Sequence, residues 1–287
     1  MDNGVHIIQP KLTGGGMSYI VQLADTSFII VDGGSYNEDD VRELYRLLRE
    51  YTPKDHMPEI SMWMFTHSHF DHIELATEFI CAKAADVKIK AFAYQFSFSN
   101  NLNIQKSVQE EMNRTIGVLE GNIARYYPDA AIHTLHTGQH YNFPGLQIEI
   151  LWTGEDIYPY IANHYNDLSA AWRMHFKNGK SFLILGDCFN YSCKQLVKTY
   201  GEYLKSDILQ LTHHGLLGGD KELYQLIDPD ICFWAVSEER FLGTRPGDKI
   251  QYCLGEGGCD YNAWIRDEGI RVRKHYHQSV TTVINMD

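Results

Sequence analysis

The apolar run from Ile60 to Phe65 stops directly in Thr66-His67-Ser68-His69-Phe70-Asp71-His72, which sets three histidines and an aspartate within six positions. The run is apolar on both faces, as expected of a central strand covered on both sides. Such a strand delivers four metal-capable side chains to one rim of a core. Imidazole and carboxylate donors together suit zinc, iron or manganese. A bound ion needs three or four protein ligands, so the fold must bring further donors to this rim from distant strand ends.

Two other segments have the same build. Leu183-Ile184-Leu185-Gly186-Asp187 is an apolar strand closing in a carboxylate, and Ile208-Leu209-Gln210-Leu211 runs into Thr212-His213-His214-Gly215. Taken singly, these are a turn aspartate and loop histidines. Following strands, and sharing a chain with the first cluster, they become candidate ligands. Asp32, at the end of another apolar strand, is expected to orient the cluster loop through hydrogen bonds.

Strands are expected over 6–11, 18–23, 27–32, 60–65, 88–94, 146–151, 170–176, 182–185, 208–211, 231–236, 270–275 and 280–284. Helical spacing marks Val41 to Tyr51, Ile73 to Ile80, 103–126, 192–200, 220–227 and 261–267. No linker, charge block or repeat divides the 287 residues, so one domain over 1–287 is expected. Strand-rich stretches in two comparable halves, with helices interspersed, predict two packed sheets with helices outside.

Composition narrows the function classes. The chain carries 25 basic against 37 acidic residues, a net charge of −12. Proteins gripping a nucleic-acid backbone draw their non-specific affinity from a basic face, so a small-molecule substrate is expected in place of long nucleic acid. No apolar stretch nears the roughly 20 residues of a membrane span, and Met1 to Leu12 lack a secretory pattern. A cytoplasmic protein is expected. Cys81, Cys188, Cys193, Cys232, Cys253 and Cys259 form no CxxC pair, in keeping with a reducing compartment.

The order HxHxDH, then a strand ending Gly-Asp, then a strand ending His-His-Gly, resembles the metallo-β-lactamase superfamily. That resemblance spans nearly the whole chain, beginning with the glycine-linked N-terminal strands and Val31-Asp32-Gly33-Gly34. It implies an αββα sandwich of two mixed β-sheets and two divalent metal ions, zinc first, with manganese or iron as alternatives. It implies His67 and His69 on the first metal, Asp71 and His72 on the second, and Asp187 bridging both. One histidine of the HHG pair completes the second site. His213, first after the strand, is taken as that ligand, which leaves His214 facing substrate; Asp71 and His214 are the expected catalytic groups.

One point departs from the common pattern. Many members place a histidine roughly 20 residues before the Gly-Asp aspartate as third ligand of the first metal. Here the stretch reads His164-Tyr165-Asn166-Asp167-Leu168-Ser169. It is similar to a subgroup of competence-protein hydrolase domains and phosphorylcholine esterases. Asp167, Asn166 and His164 are the alternatives for the missing position, and a weaker first site is implied.

Two ions sharing a carboxylate lower the pKa of bound water and polarise the electrophile, so a metal-dependent hydrolase is expected. No GxSxG elbow or Walker loop offers another chemistry. The subgroup resemblance implies a small phosphoester. The rivals are a nuclease, a carbonyl hydrolase (lactonase, thioesterase or β-lactamase) and a metal-binding protein without turnover. His133, His136, His140, His175, His275 and His277 are expected to lie apart from the centre. Tyr126, Tyr127, Trp152, Tyr158, Tyr160 and Tyr165 are candidate pocket walls.

Overall fold

Side chains alternate across a strand, and here both sides of the strands are apolar. In β3 (Phe28–Val31), Ile29 and Val31 enter one buried cluster while Phe28 and Ile30 enter another. In β4 (Glu59–Met64), Met62 and Met64 join the first cluster and Ile60 and Trp63 the second. A sheet apolar on both faces needs cover on both. The computed structural model, which describes residues 4–96, 103–242, 244 and 274–287, supplies that cover as four layers.

The first sheet adds β1 (His6–Gln9), β2 (Tyr19–Gln22), β5 (Lys88–Ile89), β6 (Ala91–Tyr94), β7 (Ala131–Thr134) and β15 (Thr282–Asn285). Its order is β15-β1-β2-β3-β4-β6-β7, with β5 also on β4. The second holds β8 (His140–Phe143), β9 (Leu146–Trp152), β10 (Ala171–Phe176), β11 (Ser181–Ile184), β12 (Ile208–Gln210), β13 (Ile231–Trp234) and β14 (Lys274–His277). Its order is β14-β13-β12-β11-β10-β9-β8. Both are mixed: β3, β4, β6 and β7 run parallel in one, and β11 to β14 in the other.

The inner faces pack Ile7, Tyr19, Val31 and Met64 against Ile150, Trp172, Phe182 and Phe233. Each such side chain contributes about 1.5–3 kcal/mol relative to exposure. On the outer face of the first sheet lie α1 (Glu38–Glu50), through Val41, Leu44 and Leu48, and α2 (Phe70–Ala82), through Ile73, Phe79 and Ile80. On the outer face of the second lie α4 (Asn190–Tyr200), through Leu196, and α5 (Lys221–Ile227), through Leu223 and Ile227. The helix α3 (Lys106–Tyr126) reaches both faces, with Met112 in the second sheet's outer cluster and Leu119 and Ile123 in the first's. This is the expected αββα sandwich. α1 starts where Asn37 accepts from the Asp39 amide and three acidic residues fill the first turn, complementing the helix dipole.

Two strands were not foreseen, β7 and β8. Both are sheet edges with polar, solvent-facing residues, so neither carries the buried run that marks a core strand. Cys253, Cys259 and the expected helix at 261–267 lie outside the described residues. No helix among the described residues is long and apolar enough to cross a membrane.

The loops beyond β4 and β11 join the two sheets at one end of the sandwich. The Ala170 amide donates to the Thr66 carbonyl at 2.8 Å. Gly186 has φ 54°, and a Cβ there would lie 2.7 Å from that of Thr66. Only glycine lets the loops approach so closely.

Candidate metal centre

The cluster loop is held from beneath by Asp32. Buried at the end of β3 with φ 50°, its carboxylate accepts from the Thr66 amide, the Thr66 hydroxyl and His72 Nδ1, each at 2.7 Å. The Thr66 hydroxyl, donating to Asp32, accepts from His67 Nδ1 at 3.1 Å. With Nδ1 engaged in this way, both rings turn Nε2 toward the centre. Ser68, between the two histidines, hydrogen-bonds the Tyr165 hydroxyl at 2.5 Å, and the Tyr165 ring lies 5.1 Å from that of His69. Asp71 and His72 occupy the first turn of α2.

The donor atoms converge in two groups. His67, His69 and Asp187 form one, and Asp71, His72 and His214 the other, with ligand atoms in each group within 4.8 Å of one another. His67 Nε2 lies 2.9 Å from His69 Nδ1 and 3.7 Å from Asp187 Oδ2. His214 Nε2 lies 3.1 Å from Asp71 Oδ2 and 3.3 Å from His72 Nε2. Asp187 stands between the groups, with oxygens 3.3 Å from His72 Nε2 and 3.6 Å from His214 Nε2. Donors bound tetrahedrally at about 2.0–2.2 Å from one ion stand about 3.3–3.6 Å apart, so both groups fit a divalent transition metal.

The electrostatics point the same way. Burial alone would raise the Asp187 pKa, but His72, His214 and His213 hold it well below the carboxylate range. Asp71 is lowered likewise, burial being outweighed by His214 and His72. Burial would lower the pKa of His72, yet Asp187 and Asp32 raise it well above the usual value; the same contest, won by Asp187 and Asp71, lifts His214 to about 9. Burial, with His72 nearby, keeps His67 neutral, and burial brings His69 to about 4. His72 and His214, held toward the protonated form, thus face the carboxylates of Asp32, Asp71 and Asp187, while His67 and His69, held toward the neutral form, offer lone pairs. A cation in each group can take the place of one of those protons opposite the same carboxylates.

His213 and His214 exchange the positions expected of them. Both have left-handed backbones, φ 48° and φ 63°, which bend the chain so that the second ring turns inward. His214 is buried, its Nδ1 donating to the Ala235 carbonyl at 3.3 Å. His213 keeps 20% side-chain exposure, its Nε2 3.8 Å from Asp187 Oδ2, outside both groups. With Asp32, these are three of the five non-glycine residues of positive φ among the described residues, so backbone strain is concentrated here.

Asp167 also differs from expectation. Its Oδ1 accepts from the amides of Tyr191 and Ser192 at 3.0 and 2.9 Å and from the Ser192 hydroxyl, capping α4, and it joins neither donor group. The His164 ring stacks on Phe189, and its Nδ1 accepts from the Asn166 amide at 3.3 Å. Asn166 Oδ1 is buried without a hydrogen-bond partner among the described residues. Of the three alternatives, Asn166 alone shows an uncommitted buried oxygen.

The remaining histidines serve elsewhere: His136 pairs with Glu155, His175 with Glu149, and His275 accepts from Trp234 Nε1. Trp152, Tyr127 and Tyr165 are core residues, while Tyr158 and Tyr160 are exposed. Thr66 and Ser68 were legible only as parts of the motif, and Tyr165 and Phe189 carried no signal of their contacts in sequence.

No family model matches the sequence, and no curated protein does. Among solved structures, the chain is similar to CmlA, a diiron β-hydroxylase from Streptomyces venezuelae, with a TM-score of 0.51 at 12% identity over 99% of this chain and 55% of that one. A CmlA variant gives 0.55 at 12% identity, over 98% and 54%. The chain therefore spans about half the length of the CmlA chain. YhfI from Bacillus subtilis, a metallo-β-lactamase fold protein, gives 0.46 at 14% identity over 80% of this chain and 85% of its own. At these identities the likeness is one of fold. The two mixed sheets lie face to face between helical layers, and the chain has the metallo-β-lactamase fold.

Proposed function

We propose that this chain is a two-metal hydrolase of small phosphoesters. The observation that carries the reading is Asp187, whose carboxylate lies within 3.8 Å of ring nitrogens of His67, His72, His213 and His214 and so stands between both donor groups. His67, His69 and Asp187, with the unpartnered Asn166 Oδ1 as a fourth donor, would hold one ion. Asp71, His72 and His214, sharing Asp187, would hold the other. Zinc leads, and manganese or iron suit the same donors. When bound, two such ions supply Lewis-acid polarisation and a lowered pKa for water.

The protein's own part is orientation and charge. Asp32 fixes the His72 ring, Thr66 the His67 ring and Ala235 the His214 ring. Asp71, with 27% side-chain exposure, and His213 border the accessible side, where His213 can donate to a substrate oxygen. The acidic balance of the chain favours a substrate held by the centre and its walls over a polymer needing many phosphate contacts.

The test compares bis-p-nitrophenyl phosphate, p-nitrophenyl phosphorylcholine, nitrocefin, a lactone and labelled DNA with metal-replete protein at two salt concentrations. Turnover of the small phosphoesters is expected. Turnover confined to nitrocefin or the lactone would move the chemistry to carbonyls. Preferential, salt-sensitive cutting of DNA would make it a nuclease.

A further inference from the structure

His67, His72, Asp187 and His214 are buried, whereas His69 is half-buried and Asp71 and His213 keep 27% and 20% side-chain exposure. A substrate therefore approaches over these three residues, His213 among them. Beside His213 lies the half-buried Phe189, the two rings edge to face with centroids 5.8 Å apart and planes at 84°. On Phe189 stacks the exposed His164, centroids 4.2 Å apart and planes at 18°.

The pair is built in advance. The Phe189 amide donates to Ser192 Oγ at 2.9 Å at the start of α4, and His164 Nδ1 accepts from the Asn166 amide. Both anchors are local, so the stack costs little further ordering when a ligand arrives. A parallel ring pair at the edge of a catalytic mouth offers flat π surface next to water. Planar ligands are matched to such a surface in a way that puckered or branched ones are not.

We propose that the His164–Phe189 stack is a subsite for a planar aromatic or heteroaromatic ring carried on one ester arm of the phosphate. This rests on reading the centre as a phosphoester hydrolase and names the class of ester. An aromatic contact of this kind is worth about 2- to 12-fold in affinity.

Phosphonates separate recognition from turnover because their P–C bond is not a hydrolysable ester. Dissociation constants of phenyl-, cyclohexyl- and methylphosphonate are measured by calorimetry on zinc-loaded protein and on Phe189→Leu, Phe189→Tyr and His164→Ala, each checked for an unchanged melt. The wild type and Phe189→Tyr are expected to prefer phenyl over cyclohexyl by about 2- to 12-fold. Phe189→Leu should abolish the preference, His164→Ala should weaken it, and methylphosphonate affinity should stay constant in the two Phe189 variants. Equal phenyl and cyclohexyl affinities in the wild type, no binding of any phosphonate, or a preference that survives in both Phe189→Leu and His164→Ala overturns the subsite. A preference that behaves as expected in a protein turning over no phosphoester leaves the subsite standing and removes the hydrolase reading.

Discussion

At the scale of single residues, Asp187 and Asp32 have separable duties. Asp187→Asn keeps the volume but removes the charge that faces His72 and His214, so two buried imidazolium ions lose a partner. The expected outcome is a folded protein whose metal content and turnover both fall, turnover by at least about 100-fold. Elemental analysis and circular dichroism check it, and full two-metal occupancy with unchanged activity would remove the shared-ligand assignment. Asp32 belongs to neither donor group and acts through its contacts with His72 and Thr66. Asp32→Asn should therefore weaken metal binding by about 10- to 100-fold, as seen when outer partners of ligating histidines are changed. Competition with a chromophoric chelator measures it. His67, His69, Asp71, His72 and Asp187 could be picked out from the sequence because residue type and strand-end position both announce them. The choice between His213 and His214 could not, since the residue type is the same at both positions and the outcome turns on two left-handed backbones.

At the scale of elements, α4 depends on a cap from outside itself. Its first amides are taken by Asp167, 24 and 25 residues earlier in the chain. Asp167→Ala leaves those amides without their acceptor, and should cost about 1–2 kcal/mol in urea denaturation. Metal content should be retained, because Asp167 joins neither donor group. Loss of one ion in this variant would return Asp167 to the ligand set. Sequence alone could not find this cap: it has no local S/T/D-x-x-E signature, only a contact made by the fold. Helices such as α1 and α2 were legible because their apolar residues recur at three and four positions. The strands β7 and β8 were not, because edge strands with polar faces lack that periodic burial.

At the scale of the whole molecule, the centre ties the two sheets together, with donors from the loops after β4, β11 and β12. Sheet membership and order follow from long-range pairing and left no trace in the local sequence, but three strands ending in ligands implied that their ends must meet. A metal that binds only the folded chain stabilises all of it, by about 2.7 kcal/mol at a free concentration 100 times its Kd. In metal-free protein the same position is filled by protons. His72 is raised well above the usual histidine value, and His214 to about 9. A raised histidine contributes stability that is complete below its unfolded pKa of about 6.5 and is lost as pH climbs through the folded value. The melting temperature of chelator-treated protein should thus decline from about pH 6.5 to about pH 9. Zinc-loaded protein has already exchanged those protons for cations and should decline less, so the gap between the two curves widens with pH. Zinc binding at neutral pH should also release about two protons, read as a buffer-dependent heat in calorimetry. A gap that stays constant across the range, with no proton release, would mean that His72 and His214 are neutral before the metal arrives and that the buried carboxylates are balanced in another way.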